Sequence, residues 1–99
     1  MASLEECNIR ATLERLKGKV EALIVQIESA LTSDPVPMSA LRRRIKNSEK
    51  VWSEFEGQYD QLRAIAGENQ AKQDRTQHVA LQRCYLEVHA RAEDALDND

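Results

Sequence analysis

Glycine and proline are scarce in this 99-residue chain, with three of the first and two of the second, so few points interrupt a helix. Both prolines fall in "TSDPVP", residues 32 to 37, and no helix continues through it. Cysteine is limited to Cys7 and Cys84, too far apart in sequence to pair closely, which suits a reduced cytosolic chain. No apolar run approaches a membrane span, and the N-terminal stretch lacks the apolar centre of a signal peptide. Residue 2 is Ala rather than Gly, which excludes N-myristoylation there. A net charge of -3 means that the whole molecule is not built to wrap nucleic acid. The expected setting is the cytoplasm, or a particle assembled there.

What the chain does have is charge, at 31% of residues, laid over a helical apolar rhythm. Its length suits one small domain, residues 1–99, with a single core. The first segment carries Ile9, Leu13, Leu16, Val20, Leu23, Ile27 and Ala30, in alternating steps of four and three. The second repeats the rhythm with Met38, Leu41, Ile45, Ser48, Trp52, Phe55, Tyr59, Leu62 and Ala66. The third gives His78, Leu81, Tyr85, Val88, Ala92 and Ala95. Each is a heptad seam, and no stretch alternates with the period of a strand. The expected fold is all-α, an antiparallel bundle of three long helices over about 3–32, 38–66 and 69–96. Ser3 and Glu6 have capping-box spacing. Gly67 is expected to end the second helix and Asn69 to cap the third.

Aromatic residues are rare, yet Trp52, Phe55 and Tyr59, three of the four, lie within eight residues. All three fall on the second seam, so they are expected in the core, with Trp52 buried. A base-stacking platform would set exposed rings beside cations instead.

Catalytic chemistry finds no support. Gly18, Gly57 and Gly67 are isolated and form no phosphate loop. His78 lies on the seam and has Gln82, a poor metal ligand, four residues on. His89 and Glu93 are spaced for a shared metal, but two ligands are too few for a site. Cys84 and His89, five apart, diverge on a helix, and a zinc site would need Cys7 from elsewhere. Adjacent pairs such as Glu5–Glu6 and Glu93–Asp94 diverge as well. No catalytic residue, cofactor, metal or small-molecule substrate is therefore assigned, and the chain is not expected to be an enzyme.

Two surface features invite a functional reading. Between Met38 and Ala66 six basic residues face four acidic ones, whereas from Gly67 onward four basic face seven acidic. Arg42, Arg43, Lys46 and Lys50 all point away from the seam at about 100° per residue. Local pairing with Glu49 and Glu54 would make this stripe an ordinary solvated face. Cations at a helix N-terminus oppose its dipole, however, so helix stability does not explain them. Contact with RNA phosphate, anionic lipid or a protein is the alternative. The second feature is apolar: Val79, Leu86 and Ala90 on the third segment, and Val25 on the first, face away from the seams. They form a narrow strip on which a second helix could lie, and symmetric self-association is expected there. Cys7 lies off the first seam near a helix end and Cys84 at the edge of the third, so Cys7 is expected to be the more reactive thiol.

The order of "RATLERLKGKVEAL", a "DP" break, "LRRRIKNSEKVWSEFEGQYDQL" and "RCYLEVHARAEDAL" carries a resemblance over nearly the whole chain. It resembles the helical domain of unknown function at the N-terminal end of Gag-like polyproteins in BEL/Pao LTR retrotransposons. The most specific parts are Trp52 and Phe55 with the "YDQL" that follows, and the "CYLEVHARAEDAL" end. The resemblance implies a structural role upstream of a capsid-like region, and it brings no catalytic residues. The expected function is assembly or protein interaction in a retrotransposon Gag or a host protein derived from one. The alternative is a nucleic-acid or anionic-membrane binding module working through the Arg42–Lys50 stripe.

Overall fold

The computed structural model describes residues 4 to 98, except for the side chains of Glu68 and Asn69. Three helices follow one another: α1 (Leu4–Leu31), α2 (Met38–Ile65) and α3 (Glu68–Asp97). Their bounds lie within one residue of those expected from the apolar rhythm. Ser3, half of the expected capping box, lies outside the described residues. Among the described residues there is no strand.

The breaks arise from backbone chemistry. Pro37 precedes α2 and caps it with no side-chain hydrogen bond, while its carbonyl accepts the Leu41 N–H at 2.9 Å. The second junction corrects the expectation for Gly67 and Asn69. Ala66 closes α2 with φ -78° and ψ 145°, its N–H donating to Leu62 O at 2.8 Å. Gly67 is instead the N-cap of α3, with φ -69° and ψ 159°, and Asn69 lies inside the helix. Two extended residues in succession reverse the chain, so no left-handed glycine is needed.

Cross-helix pairs give the directions. Along α3 the partners run from His78 to His89, while along α2 they run backwards from Glu56 to Glu49. On the other side, Arg44 near the start of α2 donates to the Gln26 carbonyl near the end of α1 at 3.1 Å. Arg10 and Asp74 join the first turns of α1 and α3. A three-helix bundle with short connections produces this order.

The seams meet in a narrow core, in which Leu41 and Ala92 are 0% exposed and Ile27 1%. Among the described residues Ser48 is the buried polar one of the core, and its hydroxyl donates to Ile45 O at 2.7 Å. One expectation needs correction. Val51, at 8% exposure, takes the inward place on α2, and Trp52 is half-buried against the core edge. The seam drifts because a straight helix turns every 3.6 residues rather than every 3.5. Trp52 has moved round towards α3, where its ring lies 4.7 Å from that of Tyr85.

The bundle is a rod, 52 × 19 × 16 Å. α1 packs most extensively on α2, and the α2–α3 contact is the sparsest of the three. No described helix is long and apolar enough to cross a membrane.

Candidate interaction surfaces

A cluster of stacked rings lies along the α2–α3 contact. His78 stacks on Tyr59 at 4.2 Å with an interplanar angle of 13°, and Trp52 stacks on both Phe55 and Tyr85. Tyr85 in turn meets His89 at 5.5 Å, tilted by 42°. Such pairs contribute beyond their buried area, so the cluster holds α3 where backbone contact is thin. Burial pushes the Tyr85 phenol above its ordinary pKa of 10.0; the charges of Glu49 and Glu93 add to this, and a hydrogen bond with Ser48 opposes it. Each histidine also reaches a carboxylate across the junction: His78 Nε2 lies 3.1 Å from Glu56 and His89 Nε2 3.0 Å from Glu49.

At the opposite seam, Arg10 ties α1 to α3. Its guanidinium donates to both oxygens of Asp74, at 3.0 and 3.2 Å, and to Glu6 at 2.9 Å. Asp74 raises the Arg10 pKa further above its ordinary value, Glu6 adds to that, and burial opposes it. Behind this clamp lies a cavity of about 270 Å³ walled by Leu13, Phe55, Tyr59, Leu62, His78 and Leu81. Neither Arg10 nor Asp74 stood out in the sequence. Their pairing depends on the α1–α3 register, which no spacing within one helix reports.

The expected apolar strip is exposed. Val25 is 65%, Leu86 53% and Val79 42% accessible, and Ala90 is exposed as well. A shallow groove between α1 and α3 is lined by Ile24, Val25, Ala80, Leu81 and Cys84, with Lys17, Glu21 and Gln77 at its rim. Ala80 also lines a second hollow, with Val79, Arg75, Thr76 and Arg83. Apolar surface therefore runs from Val25 across α3 to Val79. Cys84 is exposed within that surface, as Cys7 is at its own end of the rod, so burial does not distinguish the two thiols as expected.

The basic stripe is exposed along its whole length, at Arg42, Arg43, Lys46 and Lys50. Among the described residues Arg43, Lys46 and Lys50 form no ion pair, and Glu49, expected to balance them, is turned to His89 instead. No protein family, curated protein or solved structure matches the chain.

Proposed function

We propose that this chain is a non-enzymatic interaction domain that self-associates through the outer face of α3. The observation that carries this reading is the pair Val79 and Leu86, one heptad apart and both exposed, continuous through Ala80 with the groove at Val25. A monomeric bundle gains nothing from branched apolar side chains on its outer face, whereas a second helix laid along them removes them from water. Two-fold pairing is the commonest arrangement that buries the same strip on both copies. The resemblance to BEL/Pao Gag-like chains supports the same role, assembly of a Gag or Gag-derived protein. Sedimentation measurements on the wild type and on Val79→Glu/Leu86→Glu test the proposal. The wild type should dimerise and the variant remain monomeric with unchanged helicity. A wild type monomeric at high concentration, or a dimer that survives the substitutions, refutes it.

A second reading rests on the exposed cations at the start of α2. Arg43, Lys46 and Lys50 have no carboxylate partner among the described residues and lie on one exposed face with Arg42. Phosphate contacts by such a stripe release counterions, so RNA or anionic-lipid binding would weaken steeply with salt. Replacing Arg42, Arg43, Lys46 and Lys50 with Gln should abolish that binding and leave dimerisation intact. Unchanged binding at low salt removes this reading.

A further inference from the structure

The geometry points to a divalent transition-metal site, best suited to zinc, formed by His89 and Glu93 of α3 with Glu49 of α2. One donor atom from each of the three residues lies within 4.8 Å of the other two. His89 Nε2 is 3.0 Å from Glu49 Oε1, and His89 Nδ1 is 3.4 Å from Glu93 Oε1. Zinc–ligand bonds of about 2.0–2.2 Å set neighbouring donors of a tetrahedral site roughly 3.3–3.6 Å apart, so the Nε2–Glu49 pair has only to widen slightly to admit an ion. The ion takes a single ring nitrogen, the Nε2 that faces Glu49. Glu93, one turn beyond His89 on the same helix face, closes onto that side by rotating its own side chain. Both carboxylates are more than half exposed, at 54% and 57%, so this movement displaces no packed group. Water fills the remaining position.

Three further features favour a ligand over an ordinary surface pair. The imidazole is only 18% exposed and leans on the Tyr85 ring, so its orientation is set before any ion arrives. Two carboxylates, one from each helix, converge on a single imidazole. The cluster also bridges α2 and α3, the helix pair with the sparsest contact, where a metal cross-link adds most. Imidazole with carboxylate suits zinc better than calcium or magnesium, which prefer all-oxygen sets. The chemistry is structural. A bound ion staples α3 to α2 and fixes the helix that carries Val79 and Leu86.

The test uses the full chain carrying Cys7→Ser and Cys84→Ser, which removes the two exposed thiols as competing ligands. Zinc should bind at one equivalent by calorimetry, and saturating zinc should raise the melting temperature by about 5–10 °C. Cobalt(II) should give the absorption bands of a low-coordinate site. His89→Ala should abolish binding, Glu49→Gln and Glu93→Gln should each weaken it about tenfold or more, and His78→Gln should leave it unchanged. No saturable zinc binding overturns the proposal, as does binding that survives His89→Ala. Tight binding undiminished in Glu49→Gln also overturns it, because the site would then not span the two helices. Every variant is checked for native helicity, above all His78→Gln, because His78 stacks on Tyr59 between α2 and α3. Sedimentation with and without zinc reads self-association separately, so failure of the dimer and failure of the metal site are distinguishable.

Discussion

Trp52 shows how much a single position depends on where the seam drifts. Its indole is half-buried and stacks on Phe55 and Tyr85, so Trp52→Ala removes ring contacts without opening a full cavity. The cost should be about 2–3 kcal/mol by urea unfolding, below the range for a fully enclosed tryptophan. A loss above that range would mean that the ring supports more of the core than its exposure indicates. Tyr85 gives a pH dependence with a definite sign. Its phenol is held above the ordinary value of 10.0, so the fold favours the neutral form. The unfolded chain ionises at the ordinary value, and the stability from this group is complete below about pH 10 and lost as pH rises towards the folded value. Tyr85→Phe should therefore flatten the decline of unfolding midpoints as pH rises above about 10. Parallel declines in the two proteins would show that the phenol does not titrate against the fold. The exposed thiols of Cys7 and Cys84 should both react fully with a thiol reagent in the absence of denaturant. A thiol that reacts only after unfolding would place its segment differently.

The helices themselves carry residues that packing does not require. Gly18 and Gly57 lie in the middle of α1 and α2, and a Cβ added at either would meet nothing within 4 Å. Neither has a positive φ, so each costs backbone entropy and gives no conformational advantage. Gly18→Ala and Gly57→Ala should each stabilise the monomer by about 0.5–1 kcal/mol, additively, in thermal or urea unfolding. A destabilising alanine at either position would reveal a close approach by a second chain. At this scale the sequence was largely legible, because Leu16, Ile27, Leu41 and Leu62 stand on their seams and are almost fully buried. The outward positions of Val25, Val79 and Leu86 were legible for the same reason. The place of the turn between α2 and α3 was legible too, but its capping was not, since Ala66 and Gly67 reverse the chain in extended conformations that leave no capping signature. Glu49 was equally opaque. Within its own helix it looks like a partner for neighbouring lysines, and only the α2–α3 register brings it to His89.

Taken whole, the rod is a closely packed α1–α2 hairpin with α3 laid along it, fastened by rings on one side and by Arg10 on the other. Local opening should follow that asymmetry, because segments with fewer packed neighbours open at lower free energy. Amide exchange should therefore be fastest in α3 and slowest in the middle of α1 and α2. The Arg10 clamp makes the difference adjustable. Its guanidinium holds Asp74 through both oxygens while Glu6 steadies it from its own helix, and Asp74 is only 11% exposed. Arg10→Gln leaves that carboxylate without its cation and should lower the opening free energy of the first turns of α3 by about 1 kcal/mol. Exchange in the α1–α2 hairpin should barely change, because its core does not include the clamp. The loss should shrink as salt screens the pair in the wild type. Hydrogen exchange read residue by residue distinguishes this outcome from its alternative. Uniform acceleration along all three helices would mean that the bundle opens as a single unit and that α3 is not separately hinged.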